Sequence, residues 1–84
     1  MALAMVDREI LDVLTRVLRD LLMDDSIVLT MTTRREEVRD WDSLMYINFI
    51  VAVEMELGIK FKVADVESFA NVGDIVAKIR AMKP

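Results

Sequence analysis

The sequence predicts an all-α fold, a small four-helix bundle with three main helices, a short third helix and a long loop between helices one and two. Apolar residues recur at three- and four-residue intervals in three stretches, which is the period of a helix with one buried face. The chain has only two glycines and one proline, so little interrupts its helices. Its 84 residues leave room for one hydrophobic core, and we expect residues 1–84 to form a single domain.

Helix one is predicted from about Asp7 to Met23. Asp7 is the expected N-cap, and Glu9 places a carboxylate in the first turn, where the helix dipole favours negative charge. Polar and charged residues fill the side opposite the apolar stripe. The stripe consists of Ile10, Leu11, Leu14, Val17, Leu18 and Leu21.

The helical period stops between residues 24 and 41. The apolar run Ile27-Val28-Leu29 is too short for a helix, and the threonines after it disfavour one. A brief strand is the alternative, but the sequence offers no second strand to pair with it. We therefore expect a loop whose apolar side chains pack under the core. The spacing of Thr33 and Glu36 is that of a capping box and predicts a single helical turn.

Helix two is predicted from Ser43 to Leu57, and Gly58 is expected to end it in the left-handed conformation. The side of this helix expected to face the core holds Tyr46, Phe49, Ile50, Val53 and Leu57. The outer face holds Leu44, Met45, Ile47, Asn48, Val51 and Met55, with Glu54 and Glu56 at its margins. A surface helix is usually polar on its outer side. This apolar face therefore indicates a partner surface, with cover by the loop or by a second copy of the chain as the alternatives.

The rest of the chain predicts a short helix and then a longer one. Ile59 and Phe61 alternate with lysines and are expected to anchor an extended connection. Residues 63–69 have room for one or two helical turns. Asn71 is the expected N-cap of the last helix, which should end near Met82. Its apolar stripe consists of Val72, Ile75, Val76, Ile79 and Met82.

Composition excludes several classes of protein. The absence of cysteine and histidine removes disulfides, cysteine or histidine metal sites and a histidine general base. A net charge of −4 argues against nucleic acid as a partner. The N-terminal residues lack the basic start of a signal peptide, and charges interrupt each apolar run before it reaches the length of a membrane span. We therefore expect a soluble, cytoplasmic monomer that is not an enzyme and holds no metal.

The stretch that can carry chemistry is Asp40-Trp41-Asp42-Ser43-Leu44, at the start of helix two. Free backbone amides and the positive end of the helix dipole favour a phosphate at a serine in the first turn. The long loop leaves the Ser43 hydroxyl open to a modifying enzyme. A plainer interpretation makes Asp42 an ordinary cap and Ser43 the residue that follows it. Asp40 and Asp42 alone make a weak cation site, and Trp41 is expected to pack under the turn.

This stretch and its surroundings resemble the acyl carrier proteins and related carrier domains. The resemblance rests on Trp41-Asp42-Ser43-Leu44 followed by Ile47, Ile50, Glu54 and Leu57, and its order of helices extends over nearly the whole chain. It implies a bundle of acyl-carrier type in which Ser43 is esterified by 4′-phosphopantetheine. A separate phosphopantetheinyl transferase would supply this arm from coenzyme A, using magnesium. Asp42 would then help to position the modification site, and Leu44 would contact the transferase.

The resemblance also implies that the thiol of the arm carries acyl, aminoacyl or hydroxyacyl groups as thioesters between partner enzymes. These partners would be a ligase that loads the carrier and acyltransferases or synthases that use its cargo. Fatty-acid-synthesis members carry acidic residues soon after the serine, whereas this sequence has Met45 and Asn48 there and Met55 further on. We therefore expect a specialised stand-alone carrier of lipid or secondary metabolism whose partners use apolar contacts of Leu44, Met45, Ile47, Asn48, Val51 and Met55. The alternative function is an unmodified helical adaptor that docks a protein through the same face.

Overall fold

The computed structural model describes residues 6–83, and this part of the chain forms four α-helices and one 3₁₀ turn with no β-strand. The elements are α1 (Asp7–Leu22), the 3₁₀ turn (Arg35–Glu37), α2 (Ser43–Leu57), α3 (Val63–Ser68) and α4 (Val72–Met82). The predicted all-α bundle with a short third helix and a long first loop is confirmed. The first five residues, where we expected no signal peptide, lie outside the described part.

The core lies between α1, α2 and α4, because α1 packs against both of the other long helices. Most of its side chains come from the predicted apolar stripes. The buried apolar residues are Ile10, Leu14, Val17, Leu18, Ile27, Leu29, Trp41, Phe49, Ile50, Val53, Phe61, Val72, Ile75, Val76 and Ile79. Burial of these groups is the main term that stabilises a small domain without disulfides.

The start of α1 differs from the prediction, because Val6 and not Asp7 is the N-cap residue. The Glu9 carboxylate reaches back and accepts a hydrogen bond of 3.0 Å from the Val6 amide, which a valine side chain cannot return. Asp7 lies inside the first turn and instead binds Arg80 of α4 at 2.8 Å. The helix ends at Leu22, because Met23 adopts the left-handed conformation with φ of 53°.

The loop after α1 is held by contacts distant in sequence. Of its short apolar run, Ile27 and Leu29 are buried whereas Val28 is exposed, so two side chains and not three pack under the core. The single turn begins one residue later than predicted, since the Glu37 carboxylate accepts a hydrogen bond of 2.7 Å from the Arg34 amide. The loop's carbonyls at residues 31 and 33 accept hydrogen bonds from the first amides of α4.

The predicted bounds of α2 are confirmed at both ends. It begins at Ser43 and ends at Leu57, and Gly58 follows with φ of 65°, a conformation that glycine adopts without strain. Asn71 caps α4 as predicted, because its side-chain oxygen accepts a hydrogen bond of 2.9 Å from the Asp74 amide. Within residues 6–83, no helix combines the length and the apolar character that a membrane crossing requires.

Candidate functional site

The turn before α2 is anchored by Trp41, whose side chain is only 4% exposed. Its ring meets Phe49 edge-on with a centroid distance of 5.1 Å and lies 6.1 Å from the ring of Tyr46. Asp40 precedes it in the left-handed conformation with φ of 68°, which aspartate tolerates better than most residues. The predicted packing role of Trp41 is therefore confirmed, although its buried indole nitrogen has no hydrogen-bond partner in the described chain.

Asp42 and Ser43 have different roles at the start of α2. The Asp42 carboxylate accepts a hydrogen bond of 2.9 Å from the Met45 amide, so Asp42 is the N-cap. Ser43 is the first helical residue and is exposed. Its hydroxyl makes no hydrogen bond with residues 6–83, whereas an N-cap serine would have its oxygen occupied by an amide. Because Asp42 caps the helix, the serine hydroxyl is left accessible at the positive end of the dipole.

The predicted partner-binding residues lie on the outer side of α2, and most of them are open to solvent. Exposure of the large apolar side chains runs from 46% at Val51 to 79% at Met55, and Leu44 and Ile47 lie between these values. Asn48 is also exposed, but Met45 is only half-exposed because it packs against the edge of the core. The loop of residues 24–41 does not cover this face, so loop cover, one of the alternatives from the sequence, is wrong.

The two glutamates of α2 do not form an acidic surface beside this face. The Glu54 side chain is only 11% exposed, and its carboxylate accepts a hydrogen bond of 2.8 Å from the Phe61 amide. It therefore holds the connection to α3, a role that the sequence did not indicate. Glu56 is bound to Arg16 of α1. Residues 43–53, which make up the first three turns of α2, contain no charged side chain.

A groove of about 410 Å³ runs beside Ser43, between the 3₁₀ turn, α2 and α3. We call it the Ser43 groove, and its walls include Arg35, Ser43, Tyr46, Ile47, Val66 and Phe69. A second, more apolar groove of about 430 Å³ continues along α2 and shares Ile47, Val66 and Glu67 with the first. The open surface next to the serine is therefore lined by α3 as well as by α2.

Arg35 has a place in this groove that the sequence did not indicate beyond the positive charge it adds to the loop before Ser43. The central carbon of its guanidinium lies 5.2 Å from the centroid of the Tyr46 ring, the geometry of a cation–π contact. The Tyr46 hydroxyl donates a hydrogen bond of 2.8 Å to the Val66 carbonyl and so links α2 to α3. Burial raises the pKa of Tyr46 above its ordinary value of 10.0, and the positive charge of Arg35 partly opposes this shift.

The acidic side chains of the described chain do not gather into a metal centre. Within residues 6–83, no three acidic side chains come together as a cation site would require. Asp40 and Asp42, the weak candidate from the sequence, have separate roles in the turn and the cap. What the site offers is an accessible hydroxyl beside a groove.

Comparison with known proteins identifies the kind of protein to which this site belongs. A family model described as a phosphopantetheine attachment site matches residues 40–79. The solution NMR structure of the holo acyl carrier protein from Geobacter metallireducens is 40% identical in sequence. Its match covers 87% of this chain and 83% of that chain, with a TM-score of 0.77. The chain belongs to the acyl carrier protein family. A search of curated proteins gave no match.

Membership establishes what the carrier does in general terms. It is a carrier and not an enzyme, and its prosthetic group is a covalently attached 4′-phosphopantetheine. The structure fits this group, because such an arm requires an accessible hydroxyl with room beside it. The exposed Ser43 and the Ser43 groove provide both. The arm supplies a thiol that forms thioesters, which explains how a carrier without cysteine can hold acyl groups.

Proposed function

We propose that Ser43 is the residue to which 4′-phosphopantetheine is attached. The carrier has three serines, at positions 26, 43 and 68, and only the last two fall within the matched segment. The Ser68 hydroxyl donates a hydrogen bond of 2.8 Å to the Asp65 carbonyl at the end of α3. The Ser43 hydroxyl is exposed, makes no hydrogen bond within the described chain and opens onto a groove, and this difference carries the proposal.

The attachment is a phosphoryl transfer catalysed by a phosphopantetheinyl transferase with magnesium. The Ser43 oxygen forms a bond to the phosphorus that carries the pantetheine, and the bond from this phosphorus to the second phosphate of coenzyme A breaks. Adenosine 3′,5′-bisphosphate leaves, and the serine proton passes to the medium through the transferase. In this scheme Asp42 fixes the first turn of α2, and the exposed Leu44 side chain contacts the transferase.

We further propose that the loaded arm carries acyl, aminoacyl or hydroxyacyl groups as thioesters in a specialised lipid or secondary-metabolite pathway. A ligase would load the cargo, and acyltransferases or synthases would use it. Support comes from the outer face of α2, where Leu44, Ile47, Val51 and Met55 are exposed and the first three turns carry no charge. A face of this kind fits partners that dock through apolar contacts.

The remaining parts of the proposal concern the state of the carrier in the cell. We propose that residues 1–84 act as one carrier domain in the cytoplasm, where coenzyme A and the partner enzymes are available. We also propose that the carrier is a monomer. A dimer formed through α2 would bury the exposed side chains that partner enzymes must reach.

Mass spectrometry of the intact protein tests the attachment site. The carrier is incubated with coenzyme A, magnesium and a transferase of broad specificity, and is then weighed. We expect a gain of one phosphopantetheine that is lost in Ser43→Ala and retained in the matched controls Ser26→Ala and Ser68→Ala. A gain that survives in Ser43→Ala would place the arm elsewhere. No gain in the unaltered chain, with a known carrier modified in parallel, would favour the unmodified adaptor.

A further inference from the structure

Arg35 occupies an unusual position among the arginines of the described chain. Three of the seven arginines are bound to carboxylates, Arg19 donates a hydrogen bond to the Ile27 carbonyl, and two others are exposed. Arg35 makes no ion pair with residues 6–83. It is nevertheless half-buried, with its guanidinium above the ring of Tyr46. A cation that is partly withdrawn from water without an anionic partner has lost hydration that such a partner would restore.

The Tyr46 ring under Arg35 is held in place by two contacts. The Tyr46 ring packs against Trp41 with a centroid distance of 6.1 Å, and its hydroxyl is bound to the Val66 carbonyl of α3. Since Tyr46 belongs to α2, the guanidinium is held close to the helix that begins with Ser43. Less side-chain freedom then remains to be lost when Arg35 binds an anion.

The Ser43 groove brings this cation and the candidate attachment point together. Arg35 and Ser43 both line it, and Arg35 is its only positively charged residue. Two carboxylates also reach the groove. Glu36 is already bound to Arg34 at 2.5 Å, and Glu67 is exposed on α3. An anion joined to Ser43 therefore has one cation available to it within this groove, and that cation forms no ion pair with either carboxylate.

We propose that Arg35 binds the phosphodiester of the arm, so that the arm leaves Ser43 through the Ser43 groove and not along the outer face of α2. The planar guanidinium matches the oxygens of a phosphate and forms charge-assisted hydrogen bonds with it. This inference rests on the proposed attachment at Ser43. It assigns Arg35 as a positioning residue, which keeps the base of the arm on one side of α2 and leaves the apolar outer face free for partner enzymes.

A cycle of four proteins tests the role of Arg35. The apo and holo forms of the unaltered carrier and of Arg35→Gln are unfolded in urea, and the holo state of each is checked by its mass. We expect the arm to raise the ratio of folded to unfolded chain about two- to tenfold more in the unaltered carrier than in Arg35→Gln. The control is Arg39→Gln, which removes an exposed arginine of the same loop and should leave the effect of the arm unchanged.

Two spectroscopic measurements complete the test. The Nε resonance of Arg35 should shift between the apo and holo forms of the unaltered carrier, and this measurement holds even if Arg35→Gln does not fold. Tyr46 is the only tyrosine, so its ionisation can be followed by absorbance, and its pKa should rise further in apo Arg35→Gln, because a nearby positive charge is lost. That rise would verify that Arg35 lies over Tyr46 in solution.

The outcomes separate this inference from the proposed function. An unmoved Arg35 resonance would overturn the inference, and so would an equal effect of the arm on the stability of Arg35→Gln and the unaltered carrier. Both results leave the attachment at Ser43 intact, because the masses establish it independently. Failure of the unaltered carrier to gain the arm would instead overturn the proposed function.

Discussion

Asp42 is the residue whose contribution to the site is most clearly separable from that of Ser43. Its carboxylate accepts a hydrogen bond of 2.9 Å from the Met45 amide, so Ser43 has no capping role. We predict that Asp42→Ala lowers the free energy of unfolding by about 1 kcal/mol, because an amide of the first turn loses its acceptor. Urea unfolding followed by the fluorescence of Trp41, which is buried in the folded chain, measures this change.

The control for this prediction is Asp42→Asn, which keeps a capping oxygen and removes the charge. Asparagine and aspartate are about equally good N-caps, so the free energy of unfolding should change by only a few tenths of a kcal/mol. If Asn and Ala lowered the stability equally, the charge of Asp42 and not its hydrogen bond would be the stabilising feature.

At the same scale, the sequence predicts those residues of the site whose roles depend on near neighbours. Asp42 directly precedes an apolar helical repeat. Local signals therefore predict both its role as the N-cap and the position of Ser43 at the start of the helix. Local signals do not predict the role of Arg35. Its place over Tyr46 depends on how the loop folds back onto α2, and no spacing in the sequence encodes a contact between residues so far apart.

At the scale of the elements, the backbones of the long loop and α4 come into close contact at Gly73. The Gly73 amide donates to the Met31 carbonyl at 2.7 Å, and a Cβ added to Gly73 would lie 2.5 Å from the same oxygen. We predict that Gly73→Ala lowers the free energy of unfolding by roughly 1–3 kcal/mol, because the loop must move away and the hydrogen bond between these two backbone groups is lost. Urea unfolding measures the loss.

Gly58→Ala provides the contrast, because its cost has a different origin. A Cβ at Gly58 would meet nothing within 4 Å, but its φ of 65° strains any residue with a side chain. This variant should lose about 1 kcal/mol while the amides of residues 31–33 and 72–73 keep their chemical shifts. In Gly73→Ala those shifts should change. Unchanged shifts there, with no loss of stability, would contradict the close approach.

The elements also show why the loop was harder to predict than the helices. Helix α2 carries both its start signal and its stop signal in the sequence, so its bounds followed from Asp42 and Gly58 alone. The loop has only a capping-box spacing that begins at Thr33, and its shape is set by the buried Ile27 and Leu29 and by its bonds to α4. The 3₁₀ turn starts one residue later than predicted because the Thr33 hydroxyl accepts a hydrogen bond of 2.8 Å from the Thr30 amide and so does not cap the turn.

At the scale of the whole molecule, the net charge of −4 does not extend to the surface that follows the serine. The first three turns of α2 are uncharged, Glu54 is turned into the connection to α3, and Glu56 is bound to Arg16. The family members that serve general fatty-acid synthesis, as the resemblance implies, present acids on this helix to basic patches of their enzymes. The overall charge of this carrier therefore says little about the partners that meet it at α2.

This distribution predicts that Met45→Glu plus Asn48→Glu makes the holo carrier a better substrate for a general fatty-acid-synthase acyltransferase. Two new exposed ion pairs with a basic patch are each worth about 0.2–1 kcal/mol, so the KM for the carrier should fall roughly two- to thirtyfold. The gain should shrink at high salt, because exposed charges are screened. Met45→Gln plus Asn48→Gln is the matched control, with side chains of the same size and no charge.

Met45 also packs against the edge of the core, so both double variants are first compared by urea unfolding. The pair with glutamate and the pair with glutamine should lose similar stability, since both replace the same apolar contact, and that shared loss cannot lower the KM. A gain limited to the glutamate pair would then come from charge at the surface of α2. No gain, or an equal gain in the glutamine pair, would mean that the uncharged face does not exclude general synthase enzymes, and the proposed specialised pathway would lose its main support.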